Sequence, residues 1–414
     1  MRYRMAAKLA PAAGTPSRQT EPDRQGVQMS EPSPARPAVV VIGGGYAGIS
    51  VAKQLDDIAS VVLVEPKDAF MHNVAALRAL VDPSWLPRIY LPYGGLLSHG
   101  RVAADRAVKV DAGRVALASG EELPADYIVL ATGSSYPFPA KSDLDRTVDA
   151  QEKTLGTHEA LAAAARVLLV GAGAVGIELA GEIKAVWPSK QVTLVDVADE
   201  VLGGPFRADL KAELHRQLEE LGVQVLLGSP LRAAPPTEPG ELRTFTVATQ
   251  AGREVTADLW FRCYGVIPVS DYLAGGLAGA RTADGMIEVT PTLQVAGQDR
   301  VFALGDVSTA DRKVAGAASR QAAIVAGNIR SLIEAGPDAA GTGDPDAGLS
   351  RYEPAPPGIV VPIGPEGGSG QRPGSEDLLP AEVVAQVKGR DMMVARFAEM
   401  LGVPASDEGA PPEG

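Results

Sequence analysis

Two sets of glycines, each closed by a carboxylate, carry the most chemistry in this sequence. Gly43, Gly45 and Gly48 are spaced G-x-G-x-x-G, and Glu65 ends the same stretch. Gly43 suits a tight turn, Gly45 lets backbone approach a pyrophosphate, and Gly48 lets a helix lie close on a strand. The N–H groups that open such a helix, with its partial positive charge, suit phosphate. Glu65 stands where a carboxylate takes the hydroxyls of an adenosine ribose. Gly171, Gly173 and Gly176 repeat the spacing, and Asp196 ends that stretch. A complete second copy implies a second dinucleotide. Asp196 would bond a ribose 2′-OH and repel a 2′-phosphate, favouring NADH over NADPH. Gly133 can bring backbone close to the first cofactor. Asp306, after Gly305, can bond cofactor hydroxyls or cap a helix, and the residues alone leave both readings open.

The elements that must position these groups follow from hydrophobic periodicity. Residues 38–42 and 61–64 are apolar, β-branched runs that read as buried parallel strands, with a helix at 47–55 between them. Residues 166–170, 177–186 and 191–195 repeat strand, helix and strand. Residues 100–130 alternate short β-prone runs with turn signals and read as a meander ending in the strand 127–130. Residues 223–262 read as a strand and a second meander, closing at Gly265. Leu210, Leu214, Leu218 and Leu221 are spaced as one helical face. Residues 74–80 suggest a short amphipathic helix, 301–304 a buried strand, and 314–333 a helix of small residues. Residues 381–401 have strand or helix character. Residues 1–37 and 404–414 are polar tails, and Met29 offers an alternative start.

The chain has 414 residues, enough for two or three domains with sizeable cores. Its net charge of −13 disfavours nucleic acid and anionic membrane surfaces as main partners. No apolar stretch is long enough to span a bilayer, and no metal-ligand set is assigned. Cys263 is the one cysteine, so an intrachain disulfide or redox-active pair is ruled out. A reducing, cytoplasmic compartment fits. Cys263 itself reads as a small buried residue.

Together these landmarks resemble the two-dinucleotide-binding flavoproteins of the pyridine nucleotide-disulfide oxidoreductase fold. Closer still is the apoptosis-inducing-factor-2 group of NAD(P)H:quinone oxidoreductases. The residues that carry this likeness are KDAFMHNVAALR (67–78), ATGSSYPFPAK (131–141), GAGAVGIELAGEIK (171–184) and KGRDMMV (388–394). The resemblance implies an α/β fold of two Rossmann-like domains, each with a small meander, the NAD domain inserted in the FAD domain. It divides the chain into an FAD-binding part (38–140), an NAD(P)H-binding domain (141–265) and a second FAD part (266–333). A linker (334–358) and a small C-terminal interface domain (359–403) follow. It implies FAD at the first site, held by Ala131, Thr132, Gly133, Gly305 and Asp306, with Lys67, Asn73 and Lys141 nearby. NADH, or NADPH, takes the second site, which Gly265 closes. Glu178, expected on the first helical turn, would orient the nicotinamide, and Lys388 would lie near flavin or acceptor. A solvated surface role is the plain alternative for Glu178, Lys141 and Lys388. His72 reads better as a packed loop residue than as an acid or base.

The expected function is hydride transfer from NADH to FAD, then electron transfer to a small quinone-like acceptor. Peripheral membrane contact is compatible with that acceptor. Disulfide and sulfide:quinone reductases need cysteines this chain lacks. A ferredoxin-type reductase and a non-catalytic FAD/NADH redox sensor are the competing readings. Ferredoxins are usually acidic, and so is this chain.

Overall fold

Runs of β-branched residues that bury both faces of a strand settle into parallel sheets. The computed structural model, which describes residues 36–311, 315–336 and 348–404, contains two such sheets. Along the chain the first elements are β1 (Ala38–Ile42), α1 (Tyr46–Leu55), β2 (Ser60–Val64), α2 (Ala76–Val81), β3 (Arg101–Ala103) and β4 (Tyr127–Leu130). Next come α3 (Thr147–Ala163), β5 (Arg166–Val170), α4 (Ala174–Val186), β6 (Gln191–Val195), α5 (Ala208–Glu220), β7 (Gln224–Leu226) and β8 (Leu259–Arg262). β9 (Val301–Ala303) and α6 (Ala315–Ala335) follow. The chain continues with β10 (Ile359–Ile363), β11 (Gly367–Gln371), β12 (Leu378–Leu379), α7 (Ala381–Val384) and α8 (Val394–Met400).

The first sheet has the order β9-β4-β1-β2-β3, and all its pairings are parallel. The second has the order β7-β6-β5-β8, again all parallel. Val39, Val41, Leu63 and Val129 form one side of the first core with Ile49 and Leu55 of α1 and Val325 and Ile329 of α6. The second core gathers Val167, Leu169, Val192 and Leu194 under Ile177, Ile183, Leu210, Leu214 and Leu218.

Several expectations change. Residues 101–103 pair with β2 in the first parallel sheet, so the meander is only Ala107–Asp111, Arg114–Leu117 and Glu122–Pro124. The second expected meander is a hairpin of Phe245–Ala248 with Glu254–Ala257, flanked by strands of the parallel sheet. α2 is buried on all sides, Arg78 included, rather than amphipathic. Leu221 lies past the end of α5 and is exposed. Residues 381–401 are helical: α7 runs into a π-helical turn at Ala385–Gly389, and α8 follows. The polar tails, apart from residues 36, 37 and 404, and the linker residues 337–347 lie outside the described residues, as does the alternative start Met29. Elsewhere in the linker, Tyr352 is buried in the first core.

The C-terminal segment divides its packing between the two sheets. β10-β11-β12 is an antiparallel sheet laid on α4 and α5. A Cβ at Gly181 of α4 would sit 2.5 Å from the Gly364 nitrogen, so only glycine allows this approach. Gln217 of α5 clamps Gly368, donating to its carbonyl at 3.0 Å and accepting its N–H at 2.7 Å. Phe397 and Leu401, by contrast, are buried in the core of the first sheet.

Candidate functional site

The two glycine loops are built alike, and each explains its neighbours. Gly43 and Gly171 have left-handed φ of +101° and +112°, which a side chain would strain. A Cβ at Gly48 would lie 1.8 Å from the Gly43 oxygen, and one at Gly176 would lie 1.9 Å from the Gly171 oxygen. At Gly45 and Gly173 a Cβ would meet nothing within 4 Å, so these positions leave open space. The strand-end acids also match. Glu65 accepts N–H bonds from Gly44 at 2.6 Å and Lys67 at 3.0 Å. Asp196 accepts from Ala172 at 2.5 Å and Ala198 at 2.9 Å. An ionised carboxylate has about four lone-pair sites, so each acid keeps acceptor capacity for ribose hydroxyls.

A cavity of about 1190 Å³ opens from the first loop. It exceeds the roughly 300–1,000 Å³ of a typical small-ligand pocket, as an elongated dinucleotide requires. Gly43, Gly45, Glu65, Lys67, Asn73, Ala131, Thr132, Gly133, Lys141, Glu178, Gly305, Asp306 and Lys388 all line it. Gly48, Gly171, Gly173, Gly176, Asp196 and Gly265 do not. Gly48 and Gly176 are packing positions. Gly171, Gly173 and Asp196 belong to the second loop, outside the cavity wall. Gly265, with φ of +106°, follows β8 beside the Arg262 side chain.

Lys141 is held inward. Its Nζ donates to the Ser134 carbonyl at 2.7 Å and to Ser134 Oγ at 2.9 Å, with Asp306 Oδ2 at 3.5 Å. Burial pushes its pKa down, and Asp306 partly opposes this. Asp306 accepts from Ser134 Oγ at 2.6 Å and caps no helix; Leu304 holds the cap position of the short 3-10 turn Gly305–Val307. Lys67 donates to the Leu144 carbonyl at 3.3 Å. Thr132 Oγ1 donates to the Val269 carbonyl at 2.6 Å and lies 2.8 Å from Tyr272 Oη.

Glu178 and Lys388 meet across the fold, with Nζ 2.8 Å from Oε1 and both side chains largely buried. α4 begins at Ala174, so Glu178 is on its second turn, and no acid occupies the first. A helix-end surface role for Glu178 is thereby removed. Lys388 owes its position to the π-helical turn, a feature frequent at functional sites. Two successive non-glycine residues beyond it, Met392 and Met393, have left-handed φ of 52° and 63°. The Met392 carbonyl accepts from His72 Nε2 at 2.6 Å. Since a carbonyl only accepts, Nε2 carries the proton, and Nδ1 accepts from Tyr46 Oη at 3.2 Å. Burial pushes the His72 pKa down to about 4, so the ring is a neutral packing residue. It sits with Tyr46, Phe70 and Phe397 in an aromatic group beside the cavity.

Sequence reasoning missed several groups. Ser134 directly follows the A-T-G stretch and could have been picked up as the link between Lys141 and Asp306. Arg78 and Glu182 form a buried ion pair, with Nη2 2.8 Å from Oε1 and a second, shorter contact through Nε. Both lie inside quoted stretches, and Glu182 is one turn from Glu178 on the same helical face. Phe397 and Tyr93, whose hydroxyl donates to the Gly44 carbonyl at 2.9 Å, carry no local signal.

A family model described as pyridine nucleotide-disulphide oxidoreductase matches residues 37–323. Ferroptosis suppressor protein 1 of Taeniopygia guttata is 32% identical over 88% of this chain and 95% of that protein. Apoptosis-inducing factor homolog B of Dictyostelium discoideum is 27% identical over 88% and 97%. A ferredoxin reductase from Rhodopseudomonas palustris shares the fold at a TM-score of 0.59 and 20% identity, covering 78% of this chain and 79% of that one. An NAD-dependent persulfide reductase from A. fulgidus does so at 0.56 and 20%, covering 70% and 58%. With its paired glycine loops and acids, its cavity and this likeness, the chain belongs to the pyridine nucleotide-disulphide oxidoreductase family and is an FAD-dependent NAD(P)H oxidoreductase.

Proposed function

We propose that this oxidoreductase takes two electrons from NADH and delivers them to a small quinone-type acceptor, with no thiol relay. The observation that carries the reading is Cys263: it is the one cysteine in the chain, and it is buried. A dithiol cannot form within the chain, which supports direct transfer from the flavin to an external acceptor. Val108, Val266, Val269 and Val387 are exposed and also line the cavity, which supports an apolar acceptor over a polar one. No described helix is long and apolar enough to cross a membrane, and we assign any membrane contact to the periphery.

In this reading Glu65 binds the adenosine ribose of FAD, and Gly45 leaves room for its pyrophosphate. Ala131, Thr132, Gly133, Gly305, Asp306, Lys67, Asn73 and Lys141 complete that wall. Gly171, Gly173 and Asp196 hold NADH, and Gly265 closes its domain. Glu178 orients the nicotinamide, while Lys388 fixes the Glu178 carboxylate and neutralises its charge. Bound FAD supplies the two-electron chemistry between nicotinamide and acceptor.

Anaerobic NADH should bleach the flavin absorbance of the purified protein, and a short-chain quinone should restore it within the stopped-flow time range. Restoration by ferredoxin but not by quinone would replace this acceptor class. Tight flavin binding with no bleaching would leave a redox sensor.

A further inference from the structure

We propose that Arg78 is a positioning residue that holds Glu178 and Lys388 in register, acting through Glu182 and the Gly389 carbonyl. This rests on the reading of Glu178 and Lys388 as the pair that orients the nicotinamide. Arg78 does not line the cavity, although Leu77 beside it does. Its guanidinium donates to both carboxylate oxygens of Glu182 and, through Nη2 at 2.9 Å, to the Gly389 carbonyl. Glu182 is one helical turn beyond Glu178 on α4. Gly389 directly follows Lys388. One planar fork therefore ties a side chain of α4 to the backbone beside Lys388, joining the two segments that present the carboxylate and the ammonium to the cavity.

A buried ion pair is weak evidence for a role in stability. The side chains of Arg78 and Glu182 are 7% and 2% exposed, so both charges have been taken out of water. Burial pushes the Glu182 pKa up, and Arg78 offsets this only in part. An apolar pair of similar volume commonly packs as well or better. What the ion pair adds is direction, since the donors of arginine lie in a fixed plane that lysine cannot reproduce. The segment is pinned on its other side as well: a Cβ at Gly389 would lie 2.5 Å from the Pro365 oxygen.

The test uses the flavin-loaded full chain. Arg78→Met alone would strand a buried carboxylate, so the pair is replaced together as Arg78→Met with Glu182→Leu. Two quantities are read: backbone hydrogen exchange by mass spectrometry, and the rate constant for anaerobic flavin bleaching by NADH. Exchange in residues 385–393 should quicken by about tenfold or more while that in residues 38–64 is unchanged. Bleaching should slow by about tenfold or more, as small misplacements of reacting groups do. In a Lys388→Met background the same two substitutions should add less than about twofold, because the sites act as one unit. Unchanged exchange in 385–393 overturns the proposal. So does a loss that multiplies fully with that of Lys388→Met. A Lys388→Met chain that bleaches at the wild-type rate overturns the reading of the pair, and the proposal falls with it even where exchange shows the anchor.

Discussion

Asp196 and Glu65 each spend part of their acceptor capacity on the backbone of the loop they serve. This fixes the carboxylate before any ligand arrives. In the proposed reading the charge of Asp196 also discriminates between nicotinamide cofactors, which a substitution can test. Asp196→Asn keeps a hydrogen-bonding group but removes the repulsion of a 2′-phosphate. The ratio of kcat/KM for NADH over NADPH should fall by on the order of tenfold, measured with one acceptor held constant. His72 offers a pH test. Its imidazole takes a proton more readily in the unfolded chain, because burial lowers its pKa from 6.5 to about 4 in the folded one. Its contribution to stability is therefore complete above pH 6.5 and lost as pH falls toward 4. Across that window the loss approaches about 3 kcal/mol. Urea midpoints measured between neutral and acid pH should fall, and His72→Asn should flatten the slope. At this scale the sequence was legible where chemistry is local. Gly45 and Glu65 announce themselves by spacing. The contact of Glu178 with Lys388 joins distant parts of the chain, and only the resemblance brought Lys388 to notice. Arg78 stayed hidden because an arginine in an apolar stretch looks like a helix surface until the whole of α2 is seen to be buried.

The two loop–helix junctions make a matched experiment. In each, a Cβ on the third glycine would collide with the carbonyl of the first, a backbone group with little room to yield. Gly48→Ala and Gly176→Ala should each cost about 1–3 kcal/mol in strain yet separate in function. Gly48→Ala should purify with little flavin. Gly176→Ala should keep its flavin but need far more NADH to bleach it. A chain that loses flavin equally in both variants would count against two separate nucleotide sites. Strand positions were readable because β1, β5 and their partners are continuous apolar runs with little competing pattern. β3 was read as part of the meander, because its membership in the parallel sheet depends on pairing with β2, which local pattern does not show. The π-helical turn at Ala385–Gly389 was equally invisible, because its hydrogen-bond slip has no compositional mark.

At the scale of the whole molecule, the C-terminal segment packs against the cores of both parallel sheets. Its antiparallel sheet lies on α4 and α5, while Phe397 stacks at 5.7 Å on Phe70 of the first core. Phe397→Ala should therefore cost about 3–5 kcal/mol and lower flavin retention, because the residue borders the cavity. Denaturant midpoint and flavin content together would show both. This division was not readable from residues 359–403 alone, where only the apolar run Ile359–Ile363 reads as a strand and small and polar residues interrupt the rest. The burial of Cys263 has a practical corollary. Desolvation pushes its thiol pKa up to about 12, so almost no thiolate exists at neutral pH. Maleimides and iodoacetamide should leave the folded enzyme unmodified and fully active, as mass spectrometry and turnover would record. Peroxide at levels that inactivate dithiol enzymes should spare it too. A cysteine introduced anywhere on the surface would be the one reactive thiol in the native protein, a single addressable handle for a dye or spin label.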